Sequence, residues 1–174
     1  GLSLFAGLFL AIAPDVLAEV DLEAYAEAFP EAIRTAFGIE SLGSLEGFLA
    51  TELYQFGWVL LLGLYFAYTA GGTIAGDVER GRMDMLLATP VSRSRVVVEK
   101  FLSLLPTVVV VNVVVGGVVY AGSILIEEPL ALADLVAVHL LSVPYLLVCA
   151  AIGLAYSVVL SRESPAQRAG IATV

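Results

Sequence analysis

Residues 96–126 read VVVEKFLSLLPTVVVVNVVVGGVVYAGSILI, and this stretch decides the fold class. Its valines would favour a β-strand in a soluble protein. In a membrane, however, only helices and closed barrels satisfy the backbone, and barrel strands alternate apolar with polar residues over about 10 positions. Because the stretch does not alternate and is longer than the roughly 20 residues that a spanning helix needs, we predict a membrane helix, in which Pro106 and Asn112 interrupt the apolar run.

The composition of the whole chain also indicates a lipid environment. Apolar residues make up 60% of the 174 residues and charged residues 14%, whereas soluble domains average about 45–50% and about 25%. A water-soluble globule of this composition would expose large apolar patches and aggregate. We therefore predict an all-α, polytopic transmembrane helical bundle that forms one domain over residues 1–174.

Hydropathy divides the chain into spans and connecting segments. Residues 1–13 are uncharged but too short to span, and we interpret them as the end of a first span; a signal peptide is the alternative, although its basic first region is missing. Because the chain opens at Gly1 and ends at Val174 as a new apolar stretch begins, we expect truncation at both ends. The other predicted segments are an external acidic segment (14–52), span 2 (53–75), a cytoplasmic loop (76–95), span 3 (96–126), an external turn (127–134), span 4 (135–160), a second cytoplasmic loop (161–169) and the start of span 5 (170–174).

The basic residues indicate the orientation. Seven of the eight lysines and arginines lie in or beside the segments 76–95 and 161–169, whereas 14–52 and 127–134 hold twelve of the seventeen acidic residues. Short loops rich in Lys and Arg stay on the cytoplasmic side of a membrane. One span separates each pair of successive loops, so this assignment alternates consistently along the chain.

The acidic segment 14–52 has apolar residues at helical spacing, for example at Leu22, Tyr25 and Phe29. This pattern is typical of amphipathic helices. Proline lacks a backbone N–H and disrupts a helix, so we expect Pro30 to separate two helices. We predict one or two short amphipathic helices lying at the membrane surface.

Small residues recur at every fourth position in the predicted second span, at Gly63, Ala67, Gly71 and Ala75. Residues four apart share one face of an α-helix, and small residues let helices approach closely in lipid. We predict that this small-residue stripe packs against another helix. Accidental spacing in a helix rich in Ala and Gly is the alternative.

The predicted cytoplasmic loop reads GDVERGRMDMLLATPVSRSR over residues 76–95. Within it, Arg82–Thr89 can form about two helical turns before Pro90 ends them. Ser92 or Ser94 can then cap the helix that enters the next span.

This short helix is predicted to be amphipathic. Met83, Leu86 and Leu87 fall on one face, and Arg82 and Met85 lie toward the sides. Because the helix is tethered to a long helix at both ends, a partner that holds its apolar residues in a groove can push it as a rigid body.

The loop resembles the segment between the second and third spans of ABC-2 transporter permeases. That family's pattern is an acid two residues before a glycine, an apolar–acid–apolar–Leu–Leu run, then Pro–Val–Ser–Arg and a lysine leading into the next span. The matching positions are Glu79, Gly81, Leu86, Leu87, Pro90, Val91, Ser92, Arg93 and Lys100. Arg82 departs from the pattern, since a small polar residue usually follows the glycine, and this changes the expected partner contact. Within the family, the permeases of nitrous-oxide-reductase maturation look especially similar.

The resemblance implies a permease of about six spans whose loop is a coupling helix that docks on a separate ABC ATPase subunit. ATP and Mg would be bound by that partner, and this chain, which holds no Gly-x-x-x-x-Gly-Lys-Ser/Thr loop, would have no cofactor and no catalytic site. The family residues assigned to the ATPase interface are Glu79, Gly81, Arg82, Met83, Met85, Leu86, Leu87, Pro90, Val91 and Arg93.

The resemblance also implies the assembly. A second permease copy, identical or related, would complete a pathway through the inner membrane of a prokaryote, and export is the commoner direction in the family. No nucleic acid is expected as a partner. The substrate stays open among a drug, a lipid-linked polymer, an ion and a metallo-cofactor precursor.

An intramembrane enzyme is one alternative function. A zinc protease needs a ligand set such as His-Glu-x-x-His, which the single histidine, His139, does not supply. A serine protease needs a nucleophile elbow or a Ser–His pair, and Ser142, three residues after His139, is the only support for one. The lone Cys149 lies in an apolar run, where a packed side chain is the ordinary interpretation.

A secondary transporter or channel without an ATPase is the other alternative. Such proteins usually place ionisable groups at the middle of the membrane. Asn112 is the one strongly polar side chain in the middle of a predicted span. It is expected either to make an inter-helix hydrogen bond or to contact a transported substrate.

Overall fold

The computed structural model describes residues 2–19, 22–37 and 44–174, and within these ranges every regular element is a helix. This confirms the predicted all-α fold. The helices are α1 (Leu2–Glu19), α2 (Leu22–Glu27), α3 (Glu31–Phe37), α4 (Leu45–Phe48), α5 (Gly63–Thr73), α6 (Ala75–Glu79), α7 (Arg82–Leu87), α8 (Arg93–Leu102), α9 (Leu105–Leu125), α10 (Leu132–Val159) and α11 (Glu163–Thr173). A π-helical stretch, Leu49–Leu62, connects α4 to α5.

Three helical segments of the described residues are long and apolar enough to cross a membrane. They are Leu45–Glu79, Arg93–Leu125 and Leu132–Val159. Their length and composition agree with a polytopic membrane protein, as the hydropathy of the sequence predicts. Each segment begins before the apolar run that marks it in the sequence, and the first also ends after it.

The predicted external segment 14–52 is divided among several helices. Its first residues continue α1 through Pro14 to Glu19, and its last residues belong to the helix that begins at Leu45. Between them, Pro30 separates α2 from α3, as predicted. Residues 20–21 and 38–43, which include two of the predicted acidic positions, lie outside the described residues.

The helix of the second predicted span contains both π-helical and α-helical turns. Ser44 caps its start by accepting a hydrogen bond from the N–H of Gly47 at 3.1 Å. The backbone is π-helical, with i→i+5 hydrogen bonds, over Leu49–Leu62 and becomes α-helical from Gly63. Nothing in the sequence accounts for the wider turn. The small residues of the stripe nevertheless share one helix face, because the stripe begins at Gly63, where the α-helix begins.

The third predicted span is broken before Pro106 and is continuous through Asn112. α8 ends at Leu102 and α9 begins at Leu105, so the break comes where the proline ring excludes a continuous helix. α9 runs through Asn112, whose side-chain Nδ2 donates to the carbonyl oxygen of Val108 at 2.9 Å. Asn112 thus interrupts the apolar run of the sequence but not the helix.

The chain forms two compact units. The first comprises Gly1–Leu60 and Val113–His139, and the second comprises Leu61–Asn112 and Leu140–Val174. The residues predicted to contact a partner all belong to the second unit.

In the first unit, α1 packs against the helix that starts at Leu45. The rings of Phe9 and Phe48 lie 5.8 Å apart between their centroids. Gly57 makes the approach possible, because a Cβ there would lie 2.9 Å from the ring of Phe5. The first unit thus has an apolar core built on a close helix contact.

In the second unit, the small-residue stripe faces other helices of the same chain. All four of its residues are buried. A Cβ at Gly71 would lie 3.0 Å from the Cα of Gln167 in α11, and a Cβ at Gly153 of α10 would overlap the carbonyl oxygen of Ala67. The structure therefore places this stripe in contact with α10 and α11, where a larger side chain would not fit.

Candidate functional site

The loop 76–95 has the local structure that its sequence favours. α6 ends at Glu79, Gly81 takes a left-handed conformation with φ of 69°, and α7 runs from Arg82 to Leu87. Glycine reaches this conformation without the steric penalty of a Cβ. The predicted short helix thus begins at Arg82 and ends before Pro90.

The start of α8 is capped by the first of the two predicted serines. The hydroxyl oxygen of Ser92 accepts a hydrogen bond from the N–H of Arg95 at 3.3 Å, and the backbone of Ser92 is extended. Such a cap satisfies one of the free N–H groups in the first helical turn. α7 is therefore held between a glycine turn on one side and a capped helix on the other.

The apolar residues of α7 point in two directions. Met83 and Leu87 are half-buried and line a cavity of about 350 Å³. Met85 and Leu86 are exposed, at 70% and 42% of their surface. Met83 and Leu87 are four residues apart and so share one stripe of the helix, whereas Leu86 lies at its edge. The predicted face of Met83, Leu86 and Leu87 is therefore divided between the chain's own cavity and the surface.

The cavity is mostly apolar, and its lining includes one acid and one base. Its other lining residues come from the end of the second predicted span, from α8 and from α10, and they are Ile74, Val78, Asp84, Arg93, Val96, Val97 and Val158. α7 thus covers an apolar space on one side while it presents Met85 and Leu86 on the other.

Arg82 is held by residues of its own chain. Its Nε lies 2.8 Å from Oδ1 of Asp77, and Oδ2 of the same carboxylate accepts a hydrogen bond from Nζ of Lys100 at 2.6 Å. Asp77 therefore joins the first residue of α7 to α8. Sequence reasoning assigned Arg82 to the partner and missed Asp77, because no local pattern pairs Asp77 with a lysine so far along the chain.

Glu79 also makes a contact within the chain. Its Oε2 accepts a hydrogen bond from the backbone N–H of Glu163, the first residue of α11, at 2.8 Å. The next residue, Arg80, forms an ion pair with the carboxylate of Glu163. The structure thus brings the loop 76–95 against the segment 161–169, which the sequence alone did not connect.

Arg93 differs from the other basic residues near α7. Among the described residues, acids pair with Arg80, Arg82, Arg95 and Lys100, but none lies within ion-pair distance of Arg93. Arg93 is exposed and lies at the rim of the cavity that α7 covers. Its guanidinium group is therefore available for an acidic group of another molecule.

The remaining residues predicted for the partner interface lie at the two ends of α7. Gly81 has open space where a Cβ would be. Pro90 is exposed and Val91 is half-buried, and the N–H of Val91 donates to the carbonyl oxygen of Thr89 at 2.7 Å. These residues shape the turns and bring no charge or long side chain to the surface.

The polar side chain Asn112 takes part in a contact between helices of the second unit. Its Oδ1 accepts a hydrogen bond from the hydroxyl group of Ser142 in α10 at 2.8 Å, and both residues are buried. Of the two roles predicted for Asn112, this geometry supports the inter-helix hydrogen bond.

His139 belongs to an aromatic cluster in the first unit. Its Nε2 lies 3.1 Å from the hydroxyl oxygen of Tyr54, and its ring stands edge-on to Trp58 with centroids 4.8 Å apart. A Cβ at Gly116 would lie 3.0 Å from the same nitrogen. The imidazole is thus packed on three sides, which favours a structural role over a nucleophile's base.

Comparison with known protein families decides the class of the chain. Residues 6–174 match the model of a family described as ABC-2 family transporter protein. The chain belongs to the ABC-2 transporter family. It is therefore a multi-pass membrane protein and the permease component of an ABC transporter, a class whose members work with an ABC ATPase and have no catalytic site of their own. No curated protein and no solved structure matches the chain.

Proposed function

We propose that this ABC-2 permease is an exporter subunit in the inner membrane of a prokaryote. α7 is its coupling helix, and a separate ATPase subunit that binds ATP and Mg docks on α7 from the cytoplasm. Two permease copies surround the substrate pathway. Closure of the ATPase pushes α7, and the attached membrane helices change the side of the membrane to which the pathway opens.

The exposure of Met85 and Leu86 on a helix tethered at both ends carries this proposal. Single exposed apolar residues are common on protein surfaces, but these two are adjacent and lie on a short helix in a loop rich in arginine. Full burial of a Leu or Met side chain contributes roughly 1.5–3 kcal/mol. An apolar groove in the ATPase that receives both side chains would therefore account for much of the docking free energy.

Arg93 adds the polar part of the interface. Since the other basic side chains around α7 pair with acids of this chain, Arg93 is the one that can bind a carboxylate of the ATPase. Charged pairs at the rim of an interface steer the encounter and fix its orientation more than they add affinity. We propose that Met85 and Leu86 supply most of the affinity for the ATPase and that Arg93 orients the ATPase on the permease.

Replacing Leu86 by Asp tests the docking. The aspartate would bring a charge into an apolar groove, so the affinity of the permease for its ATPase should fall by at least about tenfold, which corresponds to about 1.4 kcal/mol. The measurements are co-purification of the ATPase with the permease and ATP hydrolysis by the complex.

Arg162→Asp is the matched control, because Arg162 is also exposed but lies in the other predicted cytoplasmic loop. It should keep the wild-type affinity. If Leu86→Asp binds its ATPase and couples normally, α7 is an ordinary surface loop and the proposed docking is wrong.

A further inference from the structure

Glu163 makes contacts next to α7 that involve none of the residues proposed to dock on the ATPase. Its carboxylate pairs with the guanidinium group of Arg80, and its backbone N–H donates to Oε2 of Glu79 at 2.8 Å. Glu79 and Arg80 directly precede Gly81 and α7, whereas Glu163 is the first residue of α11. One residue therefore joins the end of α6, directly before the coupling helix, to the helix that follows α10. We call Glu79, Arg80 and Glu163 the latch.

Two glycines make room for the carboxylate of Glu163. A Cβ at Gly72 would lie 3.0 Å from Oε1, and a Cβ at Gly76 would lie 2.9 Å from Oε2. These glycines are four residues apart and so lie on the same side of the chain entering the loop. The carboxylate consequently rests against the backbone of this segment, and a larger residue at either position would displace it.

The same carboxylate is held from its own helix. Nε2 of Gln167, one turn along α11, donates to Oε1 of Glu163 at 3.2 Å. An exposed ion pair by itself contributes only about 0–1 kcal/mol. Here the carboxylate has partners from two helices, and Glu79 adds a bond to the backbone of α11, so the orientation of Glu163 is fixed by several contacts at once.

α11 is in turn packed firmly on α5. A Cβ at Gly170 would lie 3.1 Å from the carbonyl oxygen of Ala67, and a Cβ at Gly71 would lie 3.1 Å from that of Ala166. Close-packed helices transmit displacement because their contacts do not deform continuously. A force on the residues before α7 therefore has a stiff path into α11.

We propose that Glu163 is a positioning residue that, through Glu79 and Arg80, makes the coupling helix α7 and α11 move as one body. A displacement of α7 then reaches α11, which leads into the predicted span 5, through the latch as well as along the chain. The origin of that displacement, the docked ATPase, rests on the function proposed above; the latch itself rests on the contacts within the chain.

The distance between α7 and α11 tests the latch. Spin labels on Ala88→Cys and Arg168→Cys, in the permease with Cys149→Ala, would report the distance distribution in lipid nanodiscs. We expect one narrow peak that stays in place when the ATPase and a non-hydrolysable ATP analogue are added. Arg80→Ala and Glu163→Gln should broaden the peak and let it shift on addition of the ATPase, whereas Arg80→Lys, which keeps the charge, should restore much of the narrow distribution.

Arg95→Ala is the control for the loss of a surface ion pair, because the pair of Arg95 with Glu99 lies within α8 and joins no other helix. It should leave the peak unchanged. A wild-type peak that is already broad, or wild-type peaks in both Arg80→Ala and Glu163→Gln, would overturn the latch. If the labelled permease fails to bind the ATPase but its peak is narrow and depends on Arg80, the proposed docking is wrong and the latch is supported.

Discussion

The hydroxyl oxygen of Ser157 lies 2.9 Å from the backbone nitrogen of Ile74 and accepts its hydrogen bond. The same oxygen accepts a second bond from the N–H of Ala75, also at 2.9 Å. These bonds occur where α5 ends and α6 begins, and Oγ1 of Thr73 donates to the carbonyl oxygen of Ala70, the ordinary helical acceptor of Ile74. Ser157, from α10, thus supplies the acceptor at the interruption that precedes the loop 76–95.

Ser157→Ala is expected to destabilise the permease. It would leave two buried N–H groups without their acceptor, and each buried unsatisfied group costs about 1–3 kcal/mol. Thermal unfolding of the purified protein in detergent would measure the loss. Ser103→Ala is the control, since that hydroxyl group is exposed and bonds only a carbonyl of its own turn; it should change the free energy of unfolding by no more than about 0.5 kcal/mol. Equal stability of the two variants would contradict the role of Ser157.

Gly71→Leu is expected to disrupt the packing of α5 on α11. The Cβ alone would lie 3.1 Å from the carbonyl oxygen of Ala166, and a leucine would force the helices apart. Gly117→Leu is the matched control, because nothing lies within 4 Å of a Cβ there. The yield of folded, monodisperse permease after detergent extraction would compare the two. A well-folded Gly71→Leu variant would show that the stripe does not require small residues.

The features that the sequence predicted are those that depend on near neighbours. α7 follows from the glycine at 81 and the proline at 90, and the cap at Ser92 follows from its place before a helix. The small-residue stripe follows from fourfold spacing. The match of residues 6–174 to the ABC-2 family confirms the family that the loop residues resemble, and the narrower resemblance to the nitrous-oxide-reductase branch stays a prediction.

The features that the sequence did not predict depend on which segments meet in space. The ion pair of Arg80 with Glu163 joins two loops that lie on either side of two spans. The bond of Asp77 to Lys100 has the same origin, and Asp77 also forms an ion pair with Arg82. The two directions of Met83 and Leu86 likewise follow from the cavity under α7, which requires the positions of α8 and α10.

Asn112→Ala should lower stability and leave transport intact. The inter-helix hydrogen bond from Ser142 would be lost, and such bonds in membranes are worth on average about 0.6 kcal/mol and at most about 1.7 kcal/mol. Thermal unfolding would show a decrease of this size, while ATP hydrolysis by the complex with its ATPase would be unchanged. Ser142→Ala should give a similar decrease because it removes the same bond. If Asn112→Ala abolishes ATP hydrolysis at normal stability, Asn112 belongs to the pathway and the transporter alternatives regain support.

The orientation predicted from the basic residues can be tested with single cysteines. Ser94, between two arginines of the first predicted cytoplasmic loop, and Glu128, in the predicted external turn, are both exposed. In a Cys149→Ala background, an impermeant thiol reagent added outside whole cells should label Glu128→Cys but not Ser94→Cys, because short loops rich in Lys and Arg stay in the cytoplasm. Permeabilised cells should allow labelling at both sites, which controls for reactivity. Labelling of Ser94→Cys in intact cells would place α7 outside, where no ATPase could reach Met85 and Leu86, and docking on this helix would then be impossible.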